Sequence, residues 1–254
     1  MTLLRNVSWK RIGRMFLTIF LVVILIGAAA LGVVYQLDPW WSAVRMRKLM
    51  PGIDVIPTPI HDSNIAALPG QRVEGFGASF QLPWAYPEKV DLRHKILLAS
   101  GNGGTIAFED PSSDPWTAHM IREFAKSIPT LGPDTRGSIC SLQRVAMDAT
   151  TEQVKWWKIP SQNERAHDLL LLKLFTEPMS DGNLYAVNVK GLCGFQRGDP
   201  RIAPYGAQIE LFDSADRHYK MRIISYSKTP VFTQAELNAI IASTSPVPSP
   251  AAQK

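Results

Sequence analysis

The chain is poor in the side chains that metal and redox chemistry use. Only two of its 254 residues are cysteine, and its five histidines are scattered. It contains no Cys-x-x-Cys pair and no His-Glu-x-x-His motif, so it offers no recognisable zinc ligand set. Gly77-Ala-Ser-Phe-Gln81 lacks the second glycine of a serine-hydrolase elbow. We therefore predict no catalytic residue set, no metal and no cofactor.

Excess charge is also missing from most of the chain. Residues 1–37 hold four of the 27 basic residues and none of the 22 acidic ones. The rest has 23 basic and 22 acidic residues, a net charge of +1, so the isoelectric point of 9.2 reflects the amino-terminal flank. A near-neutral domain lacks the basic footprint that nucleic acids require. We predict no nucleic-acid partner.

One long apolar run stands out. Met15 to Tyr35 is 21 residues without a charge, enough for one helix to cross a bilayer. We predict a transmembrane signal anchor over residues 15–37, preceded by a basic cytoplasmic flank over residues 1–14. A cleaved signal peptide with its small-residue site at Ala28–Ala30 is the alternative. The apolar run continues past that site, which favours the uncleaved anchor.

The charges on either side of the run indicate its orientation. The first flank has four basic residues, whereas the second has Asp38 before its basic residues Arg45, Arg47 and Lys48. The positive-inside rule then predicts a cytoplasmic amino terminus and an extracytoplasmic domain at the cell membrane. A cytoplasmic domain is the alternative.

The two cysteines bear on the same question. Cysteines outside the cytoplasm commonly pair, so Cys140 and Cys193 predict a disulfide if the domain is exported. Two isolated buried thiols are the alternative.

The remainder divides by composition. Asp38-Pro39 has the form of a helix start. We predict a short helix, which extends or follows the membrane helix, and a Pro-rich linker over residues 38–70. Residues 71–243 predict a single α+β domain. The Pro/Ser-rich tail, residues 244–254, predicts disorder.

Strand and helix patterns within the domain are grouped. Short β-like runs flank the turn Gly101–Gly104, and Val73–Trp84 predicts one bulged strand. Helical patterns occupy residues 115–175. The last of them ends in the stretch Leu169–Phe175, which is apolar almost all round and predicts burial on more than one side. Strands and a final helix follow. This grouping predicts an α+β fold with a mostly antiparallel sheet packed with helices.

The strand Glu74-Gly-Phe-Gly-Ala-Ser-Phe80, the later strand Gly182-Asn-Leu-Tyr185, two further strands and a terminal helix resemble the PsbP-like fold. The resemblance covers about half of the soluble chain. That family consists mostly of non-enzymatic accessory or assembly factors, so the resemblance implies a binding role. In its other features the chain looks like a signal-anchored bacterial protein.

Two segments are candidate contact sites. Gly191–Pro200 has three glycines with Arg197 and Asp199 and predicts a binding loop, or else a bulge and turn. Trp156 and Trp157 predict a partner or membrane contact, or else core packing.

Together these features predict a single-pass membrane protein whose extracytoplasmic domain is a non-enzymatic binding or accessory module of the cell envelope. A protein partner is expected. A membrane-anchored enzyme, or a domain that binds a small ligand or lipid, is the alternative.

Overall fold

Five helices and eleven strands are present in the computed structural model, which describes residues 9–60, 67–85, 87–93, 96–109, 115–177, 183–189, 191–203, 205–226 and 230–247. The helices are α1 (Trp9–Leu49), α2 (Pro115–Lys126), α3 (Ile139–Ala146), α4 (Pro160–Thr176) and α5 (Gln234–Ser243). The strands are β1 (Thr58–Pro59), β2 (Arg72–Gly75), β3 (Ala78–Gln81), β4 (Lys89–Arg93), β5 (Ile96–Gly101), β6 (Gly104–Glu109), β7 (Leu184–Val189), β8 (Leu192–Arg197), β9 (Gly206–Phe212), β10 (His218–Ser225) and β11 (Ser245–Pro246).

The strands form two sheets. The large sheet has the order β1-β7-β8-β9-β10-β6-β5-β4, and the small sheet has the order β11-β3-β2. The β1–β7 pair is parallel, and the other pairs are antiparallel. The predicted α+β class with a mostly antiparallel sheet is therefore confirmed.

The main core lies between the large sheet, the small sheet and α5. Alternate residues of β9 and β10 point into it, because successive side chains of a strand face opposite sides. The inward set on these two strands is Ala207, Ile209, Leu211, Tyr219, Met221 and Ile223. The outward set lies on the second face of the sheet.

Helices α2, α3 and α4 cover part of that second face. Ile121, Leu142 and Leu172, one from each helix, cluster with Phe212 of β9. The structure joins Cys140 of α3 to Cys193 of β8 in a disulfide bond, with their Cα atoms 5.5 Å apart. The helix layer is thus fixed to the sheet by both packing and a covalent bond.

Helix α4 is buried on two sides, as its all-round apolar pattern predicts. Leu172 belongs to the cluster with α2 and α3. Leu170 belongs to another cluster, which contains Ala43 and Met46 of α1. One helix therefore contacts both the rest of the helix layer and α1.

Helix α1 is continuous from Trp9 to Leu49, and it is long and apolar enough to span a membrane. No separate helix begins at Asp38-Pro39, because Pro39 lies inside α1. The predicted short helix therefore extends the apolar helix rather than following it. An interior proline removes one backbone hydrogen bond. The packing of the next turns of α1 against α4 offsets that loss.

The described part of the predicted linker packs on the domain. Asp54 accepts hydrogen bonds from the backbone N (2.7 Å) and Oγ1 (2.8 Å) of Thr151. Strand β1 pairs with β7, and Ile60 reaches the main core. Residues 38–60 are therefore part of the folded unit rather than a free spacer. Residues 61–66 lie outside the described residues.

Two further predictions need correction. Val73–Trp84 contains a hairpin rather than one strand, since Phe76 and Gly77 both have positive φ (52° and 74°), as a two-residue hairpin turn requires. The predicted disordered tail begins with an ordered strand, because Ser245 and Pro246 of β11 pair with β3. Residues 248–254 lie outside the described residues.

The helix layer gives a stability prediction. We expect Leu142→Ala, at a fully buried position of α3, to lower the free energy of unfolding by about 3 kcal/mol, because it leaves a cavity. Val145→Ala, at a partly exposed position of the same helix, should cost less than about 1 kcal/mol. Denaturant unfolding of the detergent-solubilised protein measures both values. Equal losses would contradict the described packing of α3.

Candidate functional site

The segment predicted as a binding loop is mostly a buried strand. Residues 192–197 form β8, which lies between β7 and β9. A side chain at Gly194 would overlap the carbonyl oxygen of Glu210 on β9, so this glycine permits close strand packing. The loop interpretation is therefore wrong over those residues.

Asp199 lies in the turn after β8 and is buried there. Its oxygens accept hydrogen bonds from Arg201 Nε (2.9 Å), from the Arg201 backbone N (2.8 Å) and from Tyr185 Oη (3.0 Å). The hydrogen bond from the Arg201 side chain is the main cause that lowers the pKa of Asp199 to about 2. Arg197 is exposed and donates to Gln208 Oε1 (3.0 Å). Ligand binding by Arg197 and Asp199 stays a prediction, but the contacts of Asp199 stabilise the turn.

Trp156 and Trp157 lie on the surface. They follow a single 3₁₀ turn at Thr151–Gln153 and precede α4, and their rings meet edge to face with centroids 5.7 Å apart. More than half of each side chain is exposed. Core packing therefore does not explain this pair, and the predicted partner or membrane contact stays a prediction.

A cavity of about 180 Å³ lies between the helix layer and the sheet. The lining residues come from α2, α3, α4, β8 and β9 and from the residue after α4: Thr117, Ile121, Gln143, Phe175, Thr176, Glu177, Phe195, Glu210 and Phe212. A smaller cavity of about 70 Å³, lined by both half-cystines, shares Gln143 and Phe195 with it. The larger cavity brings together two carboxyl groups that are 33 positions apart in the sequence.

Glu177 and Lys173 form a buried pair one helical turn apart. Lys173 Nζ donates to the carbonyl oxygens of Val55 (2.8 Å) and Ala149 (3.0 Å). It lies 3.9 Å from Glu177 Oε2. Burial raises the pKa of Glu177 to about 8 and lowers the pKa of Lys173. Glu177 is therefore mainly protonated at neutral pH.

Two buried oxygen atoms at this cavity lack a hydrogen-bond partner among the described residues, and the Glu177 oxygen becomes an acceptor only when the carboxyl group ionises. Glu177 Oε2 and Gln143 Oε1 have no hydrogen-bond donor among the residues that the structure describes. The Gln143 amide nitrogen, by contrast, donates to the carbonyl oxygen of Thr176 (3.0 Å), which fixes the orientation of the amide. A buried acceptor without a donor is energetically costly, so this cavity favours a group that donates hydrogen bonds.

The pKa of Glu210 is shifted in the opposite direction to that of Glu177. Gln208 Nε2 donates to its Oε1 (3.0 Å), and His218 Nε2 lies 3.3 Å from its Oε2. The hydrogen bond with His218 is the main cause that lowers the pKa of Glu210. His218 also stacks on Phe212, with ring centroids 4.5 Å apart. The cavity thus combines one ionised carboxylate with one carboxyl group of raised pKa.

Neither carboxyl group was predicted as a site residue. One sequence signal was available: Lys173 and Glu177 stand four positions apart at the end of a helix that is otherwise apolar nearly all round. Charged residues on a buried helix must find partners. Among the described residues, no group of three or more His, Cys, Asp or Glu side chains is placed to hold a metal ion.

Comparisons with known proteins give no relative. No protein-family model, no curated protein and no solved structure matches the chain. The PsbP-like resemblance therefore stays a prediction.

The Glu177 carboxyl group gives a pH prediction. Its pKa of about 8 in the folded protein exceeds the ordinary value of 4.5, so the folded state holds a proton that the unfolded state has lost between these values. This contribution makes the free energy of unfolding fall as the pH rises from about 4.5 to 8. Glu177→Gln should abolish that fall, as measured by denaturant unfolding across this range.

Lys173 is not expected to cause a similar fall of the free energy of unfolding with rising pH. A lysine whose pKa is lowered in the folded state makes stability rise with pH. Exposed Glu74 provides the matched control Glu74→Gln, which should keep the wild-type pH profile. The same profile in wild type and Glu177→Gln would show that Glu177 titrates normally.

Proposed function

We propose that the chain is a single-pass membrane protein whose folded domain is a binding module held directly at the bilayer. The observation that carries the proposal is the division of α1 into two parts. The side chains of residues 17–35 are exposed along their whole length, and this surface is mainly apolar. The last turns of the same helix pack on α4. An exposed apolar helix of this length requires a nonpolar surrounding such as lipid.

The proposed orientation has the domain outside the cytoplasm. The basic flank before α1 supports this orientation. The Cys140–Cys193 bond supports it independently, because structural disulfides persist in oxidising compartments and are rare in the cytosol.

A protein partner is proposed for the open part of the second sheet face. Arg222 and Ile224 of β10 are exposed there, and Arg197 lies two strands away, in register through Gln208 of β9. Exposed Tyr226 follows directly after β10. Arginine and tyrosine beside an apolar side chain are typical of interface centres.

The proposed topology can be tested in spheroplasts of a bacterial host. Added protease should degrade the domain in spheroplasts, whereas sealed inverted vesicles should protect it. Maleimide-polyethylene glycol should modify Cys140 and Cys193 only after reduction and denaturation. Protection in spheroplasts together with two reactive thiols would place the domain in the cytoplasm.

We propose small-ligand binding in the larger cavity as a second candidate function. The specific observation is the pair of buried acceptors, Glu177 Oε2 and Gln143 Oε1, beside the carboxylate of Glu210. Once Glu177 is ionised, three acceptors that line one cavity fit a small cationic donor such as a primary ammonium group. Affinity should rise with pH as Glu177 ionises near pH 8.

n-Propylammonium is a suitable probe for this cavity. Calorimetric titration of the full chain in detergent should give tighter binding at pH 9 than at pH 6. Glu177→Gln should remove the pH dependence and weaken binding by at least the tenfold that corresponds to about 1.4 kcal/mol. Glu74→Gln is the control. Equal affinity of Glu177→Gln and Glu74→Gln for n-propylammonium would contradict ligand binding in this cavity.

A further inference from the structure

The proposal concerns the loop between the 3₁₀ turn Thr151–Gln153 and α4, and it depends on how α4 lies against α1. His167 Nε2 of α4 is 2.8 Å from Ser42 Oγ of α1. Further along both segments, Lys173 Nζ reaches the carbonyl oxygen of Val55, just beyond the end of α1. His167 thus contacts α1 itself, whereas Lys173, later in α4, contacts the segment that follows α1. This order of contacts favours an arrangement in which the two helices lie side by side in the same direction.

This alignment gives the position of the first turn of α4 along the axis of α1. Pro160 precedes His167 by seven residues, which is about 10 Å along a helix at 1.5 Å per residue. Tyr35 lies seven residues before Ser42 on α1 and is the last residue of the exposed stretch 17–35. With the two helices side by side, the start of α4 is level with the end of this stretch.

The 3₁₀ turn before this loop contacts α1 and the segment that follows it. Thr151 contacts Asp54, and Glu152 Oε1 lies 3.4 Å from Arg47 Nη1, one step closer to the apolar run. The side chain of Asn163, in the first turn of α4, then accepts from the backbone N of Lys155 (2.9 Å) and donates to its carbonyl oxygen. These contacts fix the following residues beside the start of α4.

Three of the following residues, Trp156, Trp157 and Ile159, have the most exposed large apolar side chains of the loop. Trp156 is 53% exposed, Trp157 is 64% exposed and Ile159 is 60% exposed. Lys155 Nζ lies 5.7 Å from the centre of the Trp157 ring. Tryptophan beside lysine is the composition favoured at the headgroup layer, where the ring is partly buried and the ammonium group stays in water.

We propose that Trp156, Trp157 and Ile159 insert into the headgroup layer of the bilayer and form a second membrane contact beside α1. This inference rests on the proposed function, because it takes α1 as the membrane anchor. The position of this loop, level with the end of the exposed apolar surface of α1, favours lipid over a protein partner as the occupant. Two separate contacts fix the rotation of the domain about α1, which one helix alone leaves free.

The domain offers a matched control in Trp116. Its side chain is also mostly exposed, but it begins α2. Thr130, beyond the other end of α2, contacts Asp168 of α4 (2.7 Å), whereas Phe124 stacks on Phe175 (3.9 Å between centroids). Helix α2 thus runs against α4 in the opposite direction, and Trp116 lies at the end farthest from Pro160.

Spin labelling of the full chain tests the proposal. Single cysteines replace Trp157, Trp116 or Leu25 while the native disulfide stays intact, and the labelled chains are reconstituted in phosphatidylcholine–phosphatidylglycerol vesicles. Power saturation compares accessibility to oxygen, which enters lipid, with accessibility to a water-soluble nickel chelate. We expect the oxygen-to-nickel ratio to be highest at 25, several-fold higher at 157 than at 116, and lowest at 116.

Each other outcome has a definite meaning. A ratio at 157 equal to that at 116, with a lipid value at 25, would overturn the loop insertion and leave the anchor intact. Water-like values at both 25 and 157 would overturn the anchor as well. Protection of 157 from both reagents would show that protein covers the loop. In a Trp156→Ser background, the ratio at 157 should fall while the unfolding midpoint stays unchanged, because Trp156 is exposed.

Discussion

The burial of α4 on both sides is the interaction on which the rest of the structure depends. Leu172 packs toward α2, α3 and the sheet, and Leu170 packs toward α1. Each such side chain contributes about 1.5–3 kcal/mol when fully buried. Lys173 adds two hydrogen bonds to backbone carbonyls, one from the segment after α1 and one from the segment after α3. The proposed anchor and the large sheet are therefore connected by their packing on α4 and not by a free linker. Helix α4 determines the position of both.

Local signals in the sequence predicted the parts of the fold that local physics determines. The turn between β5 and β6 contains Asn102 and Gly103, both at positive φ, and this turn alone specifies a hairpin. The two-sided burial of α4 also followed from its own composition. Strand β8 was missed because its residues are buried on both faces and show no alternation. Asp38-Pro39 had the form of a helix start, but Pro39 lies inside the continuous α1, whose following turns pack against α4.

The candidate site was less predictable because it is assembled from distant segments. Glu177 follows α4, Glu210 lies on β9, and Gln143 lies on α3. No spacing in the sequence brings these residues together; only the tertiary packing does. Arg197 and Asp199 drew attention because charges and glycines suggest a loop, yet they lie at the end of a strand and in its turn. The lysine and glutamate at the end of α4 were the one local hint of buried charge.

The disulfide changes the outcome of a proteolytic cut in the domain. Cys140 and Cys193 enclose all of α4 and β7. If a protease cut the chain once anywhere between them, the fragment with α1 and the fragment with β9, β10 and α5 would remain covalently joined. A domain exposed to secreted proteases would thus stay tethered after a single cut, and its release would require reduction or a second cleavage outside the enclosed segment.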